Sequence, residues 1–221
     1  MFEQGSGGNW SDLSDLKQYL ISKLLWNPDV NTDSIVDDFL VKYYGPAEPH
    51  IRSYYNLTHK ALAENQEKEF LNIYGFPTDY SDSYLTPTLL KQYKALMDKA
   101  EESVKKDSVY LIRVLRARLP VDFAYLDIAL NNDFDDVSYI NNLGDSISIS
   151  TDMRNYLNRF IEISQLTGTT RINERNFKTE DYRKYVLHKL EMMTKINIAK
   201  NSDIKSKTTP SEKYPVGEEV A

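Results

Sequence analysis

Three short stretches carry residue types that could do chemistry. In "MFEQG", Glu3-Gln4 stands against Gly5. A carboxylate and an amide at the end of a buried strand are common in barrel active sites, where a sugar hydroxyl or glycosidic oxygen needs an acceptor and a donor. Read without context, Glu3 is an exposed terminal acid. "VKYYGPAEPHI" carries Tyr43, Tyr44 and His50, and an exposed ring such as Tyr44 is a candidate for stacking on a sugar. Its plain reading is a core Tyr43 ahead of a helix-turn-helix corner at Gly45-Pro46. "DFDDVSYINNLG" has the look of a calcium loop, but its sixth position is not Gly and its twelfth is not Glu, so it is rejected.

Other chemistry is thinner. His50, His59 and His188 share no metal-ligand spacing and read as structural or surface histidines. No nucleophile elbow, phosphate loop or dinucleotide fingerprint is present. Asn9-Trp10-Ser11 and Asn56-Leu57-Thr58 match the glycosylation sequon, a pattern short enough to arise by chance.

The elements that must position these residues read as helices. Leu13, Leu16, Leu20 and Leu24 recur at spacings of three and four and mark one helical face, capped at Asn9 or Ser11 and ended by Asn27-Pro28. A second helix follows Asn31 or Thr32, with Val36, Phe39, Leu40 and Tyr43 as its face and Gly45-Pro46 as its stop. A third runs from about Glu48 toward Phe70 with Ile51, Tyr54, Tyr55 and Leu62. "GFPTDYSDSY" is an irregular loop of turn formers. Thr86 caps a fourth helix that has Pro87 at its first position and the stripe Leu89, Tyr93, Leu96, Ala100 and Val104. The next stripe, Ile112, Leu115, Leu119, Phe123, Leu126 and Leu130, runs straight through Pro120 and predicts one kinked helix. "NNDFDDVSYINNLGDSISIS" reads as loop. Met153, Tyr156, Leu157, Phe160 and Ile163 predict a sixth helix closed by Gly168. Tyr182, Val186, Leu190 and Met193 predict a seventh, capped by Thr179. From Ile198 the stripe is lost, and a Lys/Ser/Thr-rich segment with Pro210 and Pro215 reads as a tail or the start of another domain.

Composition bounds the function. Of 221 residues, 41% are hydrophobic, enough for a sizeable core. The net charge of -6 argues against a general nucleic-acid surface. No segment approaches the roughly 20 apolar residues of a bilayer span. The absence of cysteine excludes disulfides, zinc-thiolate sites and cysteine nucleophiles. No cofactor is called for.

Several stretches together resemble one bacterial family. They are "MFEQG", "DLKQYLISKLLWNPDVNTDSIVDDFLVKYYGPAEPHIRSYYNL" and "YLTPTLLKQYKALMDKAEESV", with "RVLRARLPVDFAYL" following. The family is a domain of unknown function similar to α-glucuronidase-type glycoside hydrolases, and the resemblance runs from Met1 to about Asn197. It implies that residues 1–9 are the remnant of a barrel strand and loop. Residues 10–197 would then be an all-α domain of about seven helices, packed as hairpins behind a catalytic barrel. Residues 198–221 resemble the opening of a discoidin-like β-sandwich of the kind that binds carbohydrate. On this resemblance Met1 is a cut or an internal start inside a longer periplasmic or exported enzyme. Glu3, Gln4 and Trp10 would border its substrate cleft, and no catalytic residue is carried over.

The implied role is a non-catalytic helical region that supports the barrel and the substrate cleft, or a homodimer. Its partners would be the upstream barrel, the downstream β-sandwich and the parent's glycan. The contrasting reading is a freestanding helical interaction module. An exposed apolar patch at Phe2, Trp10, Leu13 and Leu16 would favour the first reading, and a closed bundle the second.

Overall fold

The computed structural model describes residues 11–65, 75–131, 139–143, 146–173 and 177–194. The fold is all-α. Among the described residues there are seven α-helices: α1 (Ser14–Trp26), α2 (Thr32–Tyr44), α3 (Glu48–Glu64), α4 (Pro87–Val104), α5 (Ser108–Asn131), α6 (Thr151–Leu166) and α7 (Thr179–Thr194). Consecutive helices pack on one another through most of the chain, which is the hairpin arrangement expected of short connections.

Helix α5 is the wall around which everything else is built. At about 100° per residue, its apolar side chains form two stripes. Val114, Ala117, Val121, Ala124 and Ile128 face a first core shared with α1 to α4. Leu115, Leu119, Leu126, Ala129 and Leu130 face a second core shared with α6, α7 and Tyr139. A helix apolar on two sides must be covered on both. The sequence stripe of Ile112, Leu115, Leu119, Phe123, Leu126 and Leu130 captures only the second. The helix continues through Pro120 as one element, as its unbroken periodicity predicts.

Between the stripes lie two seams. Arg118 and Asp122 fall in one, and Pro120 and Asp127 in the other. The first seam is closed by charge. Arg118 is fully buried and donates through Nε to Asp122 Oδ2 at 3.0 Å, through Nη2 to Asp98 Oδ1 of α4 at 3.1 Å, and to Glu101. Arg159 of α6 donates to Glu101 at 2.6 Å, and the Tyr156 hydroxyl donates to Asp122 at 2.6 Å. The network therefore bolts α4, α5 and α6 together.

Several local expectations hold and several need correction. Asn31 caps α2 through Ser34 N–H, and Thr86 caps α4 through Leu89 N–H with Pro87 in the first turn. Gly45 (φ 52°) ends α2, and Gly168 (φ 70°) follows α6. The start of α1 differs: Leu13 is its N-cap in the left-handed region at φ 44°, with no side-chain cap. Ser11 contributes its carbonyl to Ser14 N–H instead, and Asn9 lies outside the described residues. On α4 the buried line is centred on Leu90 and Met97, with Leu89 and Leu96 flanking it. Helix α3 is described to Glu64, short of Phe70. Met193 is 40% exposed and leaves the core stripe of α7. The stretch read as loop after α5 contains a small antiparallel hairpin, Ile140–Leu143 (β1) against Ser146–Ile149 (β2), in the register Ile140 to Ile149. Alternating Ile and Ser in "SISIS" is a period-two signal hidden in a polar context.

Candidate functional site

A groove of about 300 Å³ opens on the Pro120 seam of α5, where the two cores meet. Its size is at the small end of ligand pockets, and its walls are mostly apolar with a few polar groups, as such pockets are. Helix α5 supplies Leu119, Pro120, Phe123 and Ala124. Proline has no N–H to give the preceding turn and cannot be replaced there without adding a donor. The loop "GFPTDYSDSY" folds into a 3-10 turn over Pro77–Tyr80, which buries Tyr80 and brings Phe76, Tyr80 and Tyr84 to one rim.

The side nearest the first core is polar as well as aromatic. Tyr54 of α3 stands edge-on to Tyr93 of α4, ring centroids 5.3 Å apart. The Tyr54 hydroxyl donates to Asp12 Oδ1 at 3.0 Å, and Tyr93 donates to the Tyr84 carbonyl at 3.0 Å. Burial pushes the Asp12 carboxyl above the usual aspartate range, while Lys17, the Tyr54 hydroxyl and His59 pull it back. Burial also pushes the Tyr93 phenol up to about 12. The opposite side is built by the α6–α7 connection, which brings Thr169, Arg171 and Ile172 to the groove. There Ile172 N–H donates to Phe177 C=O at 2.8 Å, and Arg171 bridges to Lys178.

Among the described lining residues Asp12 is the single carboxylate and Arg171 the single cation. Retaining and inverting glycosidases use two carboxyl groups flanking one bond; the described lining residues include one. They can hold and orient a ligand.

The residues singled out from sequence fare unequally. Glu3, Gln4 and Trp10 lie outside the described residues. Tyr44 is corrected: it is 1% exposed, and its ring packs edge-on against Phe39 and Tyr43. With both faces covered it cannot stack on a sugar in this packing. The alternation of one buried and one half-buried tyrosine follows from helical geometry, which turns neighbouring side chains to different faces. Tyr43 is the half-buried one. It donates to Asp15 at 3.0 Å and carries the Arg113 guanidinium over its ring at 4.4 Å. His50 is half-buried, and His59 and His188 are exposed. His59 Nδ1 lies 2.8 Å from the Tyr55 carbonyl. Among the described residues no group of three or more His, Cys, Asp or Glu could hold a metal. No described helix is long and apolar enough to cross a membrane. In the sequon at Asn56, Thr58 is buried and bonds the Tyr54 carbonyl at 2.8 Å.

Sequence reasoning missed Asp12, Tyr54 and Arg171 as a group, because they come from three separated segments. It also missed Arg118 and Asp122, although their spacing of four on an otherwise apolar helix was a readable signal.

A family model described as "Domain of unknown function (DUF4838)" matches residues 1–56. The matched part includes all of α1 and α2 and the start of α3. That segment therefore contributes Asp12 and Tyr54 to the groove. No curated protein and no solved structure matches this chain.

Proposed function

We propose that this chain is a non-catalytic helical unit of a glycan-degrading protein of the α-glucuronidase-like kind. It supports a catalytic barrel and one side of the substrate cleft, or a homodimer of that protein. The observation that carries the reading is the match over residues 1–56, because the same segment folds as the first helical hairpin and supplies one polar side of the groove. In this reading Glu3, Gln4 and Trp10 border the cleft. Residues 10–197 form the helical domain, and residues 198–221 lead into a β-sandwich. The parent works in the periplasm or outside the cell.

Two assays test it together. The purified chain should release no product from aryl-glycosides or glucuronoxylan. Acid-sugar oligosaccharides should bind it weakly, at a face that includes α1. Turnover abolished by one point mutation would end the non-catalytic part. No binding of any oligosaccharide, alone or with the adjoining regions of the natural protein, would end the glycan part.

One observation favours the second reading, a helical interaction module. Leu13 and Leu16 are 5% and 3% exposed, covered by the chain's own first core. They therefore contribute nothing to an apolar patch awaiting a barrel. The exposed Leu25-Trp26 tip of α1 would be its contact point.

A further inference from the structure

The groove beside Pro120 is polarised. Asp12 stands on the side built by the first core, through its bond to Tyr54. Arg171 stands on the side built by the second, next to Ile172, which packs on that core. Between them the wall is apolar and aromatic. We propose that the groove binds a small zwitterion with an aromatic body, its ammonium group at Asp12 and its carboxylate at Arg171. This goes beyond the glycan reading and does not rest on it.

Charge complementarity carries the choice of ligand. A neutral ring would give Asp12 and Arg171 hydrogen bonds charged on one side only, whereas a zwitterion sets an opposite charge against each of them. An anion alone would set its charge against Asp12, and a cation alone would set its charge against Arg171. Burial raises the Asp12 carboxyl, with Lys17, the Tyr54 hydroxyl and His59 opposing the rise, and an ammonium group beside it would favour its charged form further. Phe76, Tyr84 and Phe123 offer ring surface along the groove, where an ammonium group is attracted to a ring face. At about 300 Å³ the groove takes a single ring with its substituents, not a polymer.

The test uses the full chain and amide-resolved NMR titration. The probes are 4-(aminomethyl)benzoate and glycyl-phenylalanine. Benzylamine, benzoate and N-acetyl-glycyl-phenylalanine serve as single-charge analogues. Both zwitterions should shift the amides around Asp12 and around Thr169 to Ile172. Each single-charge analogue should bind roughly tenfold more weakly or worse. Arg171 is exposed, so Arg171→Gln should leave the fold intact. It should weaken 4-(aminomethyl)benzoate until it binds no better than benzylamine, while benzylamine itself binds as well as before or better, its repulsion from Arg171 being gone. Asp12→Asn should do the converse with benzoate. The proposal is overturned if neither zwitterion gives saturable shifts in the millimolar range. Equal affinity for zwitterions and single-charge analogues, or unchanged binding in Arg171→Gln, overturns it as well. Saturable binding of an acid-sugar oligosaccharide in this groove, with none of the zwitterions, would overturn this proposal and leave the glycan reading standing.

Discussion

Arg118 and Asp122 pair inside the molecule, one turn apart on α5, with Nε to Oδ2 at 3.0 Å and both side chains at most 2% exposed. Each has a second role, since Arg118 also reaches Asp98 and Glu101, and Asp122 also accepts from Tyr156. The pairing satisfies both charges, but only because neighbouring helices complete it. Burial penalises the Arg118 charge, and Asp122, Tyr156 and Glu101 more than restore it.

Removing one partner of a buried ion pair costs more than the pair contributes, because the other charge is stranded. Arg118→Met should therefore lower unfolding free energy by about 3–5 kcal/mol, read by urea denaturation. The triple variant Arg118→Met, Asp122→Leu, Glu101→Gln should recover a large part of that loss. If Arg118→Met costs less than about 1 kcal/mol, the network is not the bolt between α4, α5 and α6 described above.

Gly45 is placed by sterics. Its φ of 52° lies in the left-handed region, and an added Cβ would come within 2.6 Å of the Tyr110 ring. The ring cannot retreat freely, because Arg113 bridges it and Tyr43. Gly45→Ala should destabilise by about 1–3 kcal/mol. Combining it with Tyr110→Ala should show coupling, the double variant losing less than the sum of the two single losses. Strict additivity in that cycle would mean the close approach is not the cause.

How much of this was legible in the sequence follows the range of the forces. The caps at Asn31 and Thr86, the stops at Gly45 and Gly168, and the seven helical periodicities are local, and they could be read directly. The role of α5 could not, because a stripe of Val and Ala is visible only once the neighbours that cover it are known. Tyr44 shows the same limit: on sequence it is one of two adjacent aromatics, and the packing alone decides which is core. The groove is the extreme case. Asp12, Tyr54 and Arg171 line one groove from three separated segments that no short window contains.

Trp26 gives a direct optical check. It is 92% exposed at the end of α1, beside Leu25 at 51%. Large exposed side chains add little to stability, and surface substitutions usually fall within about ±0.5 kcal/mol. Trp26→Ser should leave the denaturation midpoint unchanged. In Trp10→Phe, where Trp26 is the sole tryptophan, emission should be solvent-like and readily quenched by iodide. Quenching that disappears at higher protein concentration would instead place the tip of α1 in a self-association contact.

Asp127 sets the pH dependence. It is 6% exposed, and its Oδ2 has no hydrogen-bond partner among the described residues. Burial raises its carboxyl to about 6, with Lys189 opposing the rise and Asp79 adding to it. The ordinary value in an unfolded chain is about 3.9. The folded protein thus holds this proton more tightly than the unfolded one. The stability this contributes is fully present below about pH 4 and is lost as pH rises through about 6. Two units correspond to about 3 kcal/mol. Asp127→Asn keeps an oxygen for the Asn131 amide, which donates to Oδ1 at 3.3 Å, and removes the titration. The informative quantity is the difference in unfolding free energy between the variant and the parent protein across pH, since all other groups cancel in it. That difference should lie near zero at pH 4, rise between pH 4 and 6, and level off with the variant more stable above pH 7. A flat difference would mean Asp127 is solvated in solution. A falling one would mean its charged form is the one the fold stabilises, through Lys189.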